Sequence, residues 1–355
     1  MPRQFETENN IRQQDLEELV NNSVFDKFRN KTVLITGATG FIGSETVLAF
    51  LCANRIKNLN TKIVALVRNL EKAHKIFEHI IDDCNLEIIV QDIIEPIEYT
   101  GNVDYIIHCA SNTQSKYMLE KPATTASIIL DGTKRVLDFA KEKKVISTVF
   151  LSSIEVYGSI DSDLEIKEED NVGQIDITSP RSSYPLAKRM AENLCVDYST
   201  EYGIDTKIAR LTQIIGAGIE YNDNRVFAQF ARSVIEKRDI VLHTKGETTK
   251  NYCYITDCVS GILSILIDGK NKEIYNVANS DTKYSIREIA EKFAEMGNLD
   301  IKYETKEHKE YPPEIKCCLN SDKLLSLCWE PQIMLQEMLD RGKKRMNRDR
   351  QNEVK

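Results

Sequence analysis

The chain of 355 residues is 41 % hydrophobic and 29 % charged, with only 15 Gly and 8 Pro, which is ample for one or two folded domains and excludes a disordered, collagen-like or disulfide-dense miniprotein. Forty-seven basic against 55 acidic residues leave a net charge of −8, which argues against a nucleic-acid partner whose phosphates must be neutralised. No stretch approaches the roughly 18 apolar residues of a membrane span, and the first 20 residues lack the apolar core of a secretory signal, so no membrane association and a cytoplasmic location are expected.

Along the chain, residues 1–30 are polar with an apolar rhythm at Leu16, Leu19, Val20, Val24, Phe25 and Phe28, which predicts an accessory helical extension packed on a larger body. From Lys31 the pattern becomes β-branched runs (KTVLIT, KIVALV, LEIIVQD, DYIIHCA, STVFLSS, TKIAR, EIYNVAN) separated by helix-length amphipathic segments. That alternation predicts an α/β, doubly wound parallel sheet of the Rossmann-like type, and runs apolar almost throughout fit strands covered on both faces. The segment from Arg341, RGKKRMNRDRQNEVK, is basic and poor in apolar residues, which predicts a mobile, solvated tail. Nine scattered cysteines without C-x2-C spacing, and five histidines that do not complement them, predict reduced thiols and no metal site.

The first run leads straight into GATGFIGSETV, placing Gly37, Gly40 and Gly43 between a strand and an amphipathic helix. Gly37 permits the tight turn, Gly40 lets backbone amides approach a pyrophosphate, and Gly43 allows close helix–strand packing, while the helix N-terminus favours an anion. A dinucleotide cofactor is therefore expected. The end of the second strand carries Arg68 and no acid, which recommends NADP over NAD because an arginine pairs with a 2′-phosphate. Asp92, closing the third strand, is placed to meet the adenine edge.

Further on, SSYPLAKRMAEN puts Tyr184 and Lys188 four apart on one helix face. An ammonium beside a phenol lowers the tyrosine pKa from about 10 toward neutrality, so the phenolate can take a proton from a substrate hydroxyl as hydride leaves the same carbon. Tyr117 and Lys121 share the spacing but precede Pro122 without a serine-bearing strand upstream, whereas Tyr184 and Lys188 follow VFLSSIEVYG, whose strand end offers Ser152 and Ser153.

Together TGATGFIGS, SSIEVYG and YPLAK resemble the extended short-chain dehydrogenase/reductase family, in its NAD-dependent nucleotide-sugar epimerase/dehydratase branch, over about residues 31–340. The resemblance implies a dinucleotide-binding domain over 31–210 that also receives about 255–280. It implies a smaller C-terminal domain from 211–254 and 281–340 that binds the sugar nucleotide. It adds Thr39, Phe41, Ile42, Ile93, Ala110 and Ser111 to the cofactor contacts, and Thr113, Gln213, Asn224, Arg225, Val226 and Lys250, besides Ser153, to the substrate contacts. Helices near 115–142 and 186–202 would pair the chain into a homodimer.

Members of that branch oxidise a sugar carbon, usually C4, and differ in the fate of the oxidised sugar. A 4-epimerase needs only the Ser153, Tyr184 and Lys188 set. A 4,6-dehydratase also needs a base, for which Glu155 is available, and a proton donor for the departing hydroxyl, where Ile154 offers none. A nucleotide-uronate decarboxylase usually has arginine where Lys250 stands. Epimerisation is thus expected first, with dehydration, decarboxylation, an NADPH-dependent 4-keto sugar reductase and a non-catalytic nucleotide-binding regulator as alternatives.

Overall fold

The computed structural model describes residues 5–159, 169–304 and 316–353. Residues 1–4 of the extension, 305–315 of the second substrate segment and the last two residues of the tail lie outside the described residues.

Seven strands form a wholly parallel central sheet: β1 (Thr32–Thr36), β2 (Lys62–Val67), β3 (Leu86–Val90), β4 (Tyr105–His108), β5 (Ser147–Ser153), β6 (Thr206–Leu211) and β10 (Ile274–Val277). Each coincides with one of the seven apolar runs, β6 extending one residue beyond its run. Their order, β10-β6-β5-β4-β1-β2-β3, shows the double winding: the chain steps outward from β1 to β3, then returns to the other side of β1 for β4. That reversal opens a crevice beyond the carboxyl ends of β1 and β4, the usual ligand position in such sheets.

The apolar runs are continuous because both faces are covered. Val33 and Ile35 of β1 face a core shared with Val47 of α2 (Phe41–Lys57) and Ile262 of α8 (Ile255–Asp268). Leu34, between them, faces Val136 and Phe139 of α5 (Pro122–Lys143) on the opposite side. The helices α3 (Leu70–Ile76), α4 (Ser115–Glu120) and α6 (Ser183–Tyr202) complete the flanking layers, α6 packing along α5.

Residues after β6 build smaller units. The strands β7 (Gln213–Ile215), β9 (Thr249–Tyr254), β11 (Asn279–Ser285) and β13 (Lys316–Cys317) make a mixed sheet, and β8 (Ile240–Leu242) pairs in parallel with β12 (Ile301–Tyr303). Around them lie α7 (Val226–Glu236), α9 (Ile286–Gly297), α10 (Asp322–Leu325) and α11 (Leu335–Glu353).

Two expectations change. The segment from Arg341 is the body of α11, no solvated tail: Met338, Leu339 and Met346 are buried, and Gly342 lets the helix close on Phe227, since a Cβ there would meet the ring at 2.5 Å. Its few apolar residues fall on one face, which composition averages away. Likewise the N-terminal extension, containing α1 (Asn10–Leu19) and a 3₁₀ turn over Ser23–Phe28, is part of the main core rather than an accessory. Phe25 and Phe28 set their edges against Phe50 at 5.6 and 5.0 Å, and Phe28 also meets Tyr105.

All nine cysteines are free and six are buried. Among the described residues no cluster of three or more His, Cys, Asp or Glu could hold a metal ion, and no helix is long and apolar enough to cross a membrane.

Candidate active site

The glycine loop lies at the crevice. Gly37 adopts φ +64°, a left-handed conformation that L-residues avoid, and a Cβ there would meet the Ala110 backbone at 2.8 Å. Thus the β1–α2 turn is pressed on the end of β4, where the Ala110 amide donates to Thr36 Oγ1. A Cβ on Gly43 would lie 2.4 Å from the Gly37 carbonyl oxygen, so only glycine lets α2 start this close to the turn. Gly40 caps α2 without any side-chain bond, which leaves first-turn amides for an anion. Thr39, Phe41 and Ile42 are half-buried around it.

The rim of the crevice carries the other cofactor candidates. Arg68 is exposed just after β2 and pairs with no carboxylate among the described residues. Asp92 follows β3 and accepts from the Ile94 amide, while Ile93 is buried against Gly132 of α5. Ser111, just past β4, has a buried hydroxyl with no partner. A cradle that a methyl group would fill, uncapped amides and an orphaned hydroxyl beside them fit a dinucleotide.

The second cluster stands at the carboxyl end of β5. Ser153, the last residue of that strand, accepts from the Glu155 amide at 3.2 Å and opens a short 3₁₀ turn that buries Ile154. Tyr184 and Lys188 emerge from the first two turns of α6, both nearly inaccessible at 5 % and 3 % exposure. Burial pushes the Tyr184 phenol up, reinforced by the Glu155 carboxylate and opposed by the Ser153 hydroxyl and Arg181. Burial also brings Lys188 down to about 8.

The lysine does not lower the phenol in the way expected. Its Nζ donates to the Leu151 carbonyl at 2.7 Å and lies over Phe150 at 4.6 Å, 5.9 Å from the centre of the tyrosine ring. With no lysine bond to its oxygen, desolvation governs the phenol. Behind the lysine, His108 is clamped between Thr36 Oγ1 and Thr133 Oγ1 at 2.7 and 3.2 Å, and burial holds it near 3, hence neutral.

One member of this cluster has no counterpart among the residues that the sequence singles out. Arg181 sets Nη2 on the Glu155 carboxylate at 2.8 Å and its guanidinium 6.0 Å from the Tyr184 ring, while Nη1 is enclosed without a partner. It precedes Tyr184 by three residues, one helical turn, and Pro180 starts the 3₁₀ turn that carries it. That spacing was the available signal.

The substrate candidates are more dispersed. Arg225 caps α7, is gripped by both oxygens of Asp223 and lies over the Phe41 ring at 5.2 Å. Asn224 and Val226 are exposed beside it, and the Asn224 carbonyl accepts from Gln229. Gln213 opens β7, half-buried, and Lys250 is half-buried in β9, its charge beside Cys317. Thr113 is exposed ahead of α4, and Lys121 is exposed where α4 meets α5.

Comparison with known proteins gives a concordant picture. The model of the NAD dependent epimerase/dehydratase family matches residues 33–278. The chain is 28 % identical over 315 residues to UDP-glucuronic acid decarboxylase 1 of Danio rerio, covering 88 % of this chain and 71 % of that one. Among solved structures it is similar to the dTDP-glucose 4,6-dehydratase DesIV of Streptomyces venezuelae with NAD bound (TM-score 0.76, 22 % identity, 90 % of this chain and 98 % of that one). It is also similar to a UDP-glucose 4-epimerase of Thermotoga maritima with UDP-glucose (TM-score 0.73, 18 % identity, 90 % and 99 %). At such identities the two structures establish a shared fold.

Proposed function

The chain belongs to the NAD dependent epimerase/dehydratase family, enzymes that act on nucleotide sugars with NAD or NADP, and from that premise we propose that it is a cytoplasmic nucleotide-uronate decarboxylase. Arg181 carries this reading. A guanidinium one turn before the candidate phenol, with one nitrogen on Glu155 and another enclosed and unpaired, suits a sugar acid's carboxylate. The relatives named UDP-glucuronic acid decarboxylase support the same class.

The chemistry agrees with what the site lacks. Oxidation at C4 of a uronate yields a β-keto acid; the C5–C6 bond breaks, its electron pair enters the C4 carbonyl, carbon dioxide leaves and C5 takes up a proton. No hydroxyl departs, so the apolar Ile154 is no obstacle, whereas a 4,6-dehydratase needs a donor there. We assign Tyr184 to removing the O4 proton, Ser153 to hydrogen-bonding O4, and the Glu155 carboxylate to relaying to C5 a proton drawn from solvent. Lys188, mostly charged at pH 7 with a pKa of about 8, favours the phenolate once the substrate is seated. When bound, the nicotinamide supplies the hydride acceptor for C4 and gives the hydride back.

The Gly37, Gly40 and Gly43 loop, Ser111 and Asp92 would hold the dinucleotide, with Arg68 available to a 2′-phosphate. Arg225 and Lys250 would meet the sugar nucleotide's diphosphate. Outward faces of α5 and α6, where Met190 stays 46 % exposed, would pair two copies into a homodimer, which sedimentation velocity tests. Six buried free thiols suit a reducing compartment. C4 epimerisation is the second reading, because Ser153, Tyr184 and Lys188 alone suffice for it.

Mass spectrometry after incubation with a panel of nucleotide sugars that includes UDP-glucuronate decides among these. Loss of carbon dioxide is expected. A product of unchanged mass and altered retention makes the enzyme an epimerase, and loss of water makes it a dehydratase. Arg181→Met should lower kcat/KM for the uronate roughly ten- to a hundredfold, the 1.5–3 kcal/mol of about one charged hydrogen bond, while leaving the affinity for UDP-glucose, whose sugar carries no carboxylate, unchanged.

A further inference from the structure

The N-terminal extension reaches the nucleotide loop through a buried ion pair. Arg12 of α1 donates to Glu45 of α2 at 2.7 Å, with their side chains only 12 % and 5 % exposed. Glu45 stands one turn after Phe41 on the same face of α2, directly beneath the turn that follows β7. There a Cβ on Gly218 would meet Glu45 Oε1 at 2.0 Å and the Phe41 ring at 3.0 Å, and one on Gly216 would meet the same ring at 3.4 Å. Over that ring lies the Arg225 guanidinium, 5.2 Å from its centre. Arg12, Glu45, Phe41 and Arg225 therefore form one continuous stack, from the extension to the first residue of the anion-facing helix and the loop that caps α7.

A carboxylate this deep is costly unless paired. Burial pushes Glu45 up, and Arg12 is its chief counterweight, with Arg345 of α11 adding charge from further off. Losing the partner would strand the carboxylate beside Gly218 and, one turn away, Phe41, so that any movement toward water presses on them. The same extension is anchored independently by Asp15, which accepts from Tyr254 at 2.5 Å and pairs with Arg341, so the Arg12 pair is not needed to hold α1 in place.

We propose that Arg12 is a positioning residue for nucleotide binding: by neutralising Glu45 it keeps that buried carboxylate from displacing Phe41 at the start of α2 and, with it, Arg225, making the extension part of the ligand-binding apparatus. This rests on the reading of the glycine loop as the dinucleotide site and is independent of which sugar is processed.

The test is calorimetric. The dissociation constants of NAD and NADP are measured on the full chain, together with melting temperature, for wild type, Arg12→Met, Arg12→Lys and the double variant Arg12→Met/Glu45→Gln. Arg12→Met is expected to weaken the tighter-binding dinucleotide about tenfold, as one stranded buried charge would. Arg12→Lys, and the double variant that buries no charge at all, should return to within about threefold of wild type. An Arg12→Met chain with lowered melting temperature but unchanged affinity overturns the proposal, since the pair would then only stabilise. Weak binding that the double variant does not rescue also overturns it. Should Arg12→Met not fold, Gly218→Ala presses on the same carboxylate without changing charge: weakened binding is expected, and unchanged affinity counts against the proposal.

Discussion

The two halves of the candidate site are built on opposite principles. At the β1–α2 turn the working atoms are backbone amides, fixed by glycines whose missing Cβ atoms are the structural feature: 2.8 Å at Gly37 and 2.4 Å at Gly43 leave room for nothing else. At the β5–α6 corner the working atoms are side chains, gathered from Ser153 to Lys188, held by burial, by hydrogen bonds such as that of Lys188 to the Leu151 carbonyl, and by the ion pair between Arg181 and Glu155. The cradle is inseparable from the fold. The corner is an attachment to it, and chemistry there can be removed while the scaffold stands.

That contrast can be broken by substitutions that should fail in different assays. Tyr184→Phe should reduce kcat by about a thousandfold, within the range of a lost general base, with melting temperature and dinucleotide affinity preserved. An unchanged kcat would remove Tyr184 from the mechanism. Gly43→Ala should do the reverse: forcing a methyl group against backbone costs about 3 kcal/mol, visible as a lower urea midpoint and lost dinucleotide binding, and a stable variant that still binds would show that the cradle can relax.

The scaffold also carries its own pH dependence, seated far from the corner. Burial raises Asp15 from 3.8 to about 6 despite its bonds from Tyr254 and Arg341. A raised carboxyl pKa means that the folded state holds the proton more tightly than the unfolded one. The stabilisation is complete below pH 4 and lost as pH rises through 6, by up to about 3 kcal/mol. Wild type should therefore lose stability relative to Asp15→Asn across that window, and parallel urea curves at each pH would refute it. The smallest effect concerns the rim: Arg68→Ala should weaken NADPH about tenfold and leave NADH unchanged, while equal loss for both would mean that Arg68 does not meet a 2′-phosphate.

The cradle was legible for the same reason that it is rigid. Glycine spacing and β-branched runs are local signals, and all seven central strands and the loop follow from them. In the smaller sheets β7, β8, β12 and β13 have only three, three, three and two residues, too short for periodicity to register. At the corner, Tyr184 and Lys188 announce themselves through helical spacing, but Arg181 looks like any charge ahead of a helix until the fold turns Glu155 toward it. Glu45 was hidden differently: in an amphipathic segment an acid reads as solvent-facing, and it is α1 and the turn after β7, both remote in sequence, that cover it. The basic stretch of α11 misled because composition does not record which face a few methionines occupy.

The meeting of Asp15 with Arg341 joins residues 326 positions apart. During synthesis α1 emerges 326 residues ahead of its partner, so while the stretch between them is being made the extension lacks the cation that neutralises its buried acid. Closing so long a loop is slow because chain entropy is spent before the contact returns anything. The clasp is thus a late event, and an arrested chain that ends before α11 would hold a complete central sheet and glycine loop with Asp15 still awaiting its counter-charge.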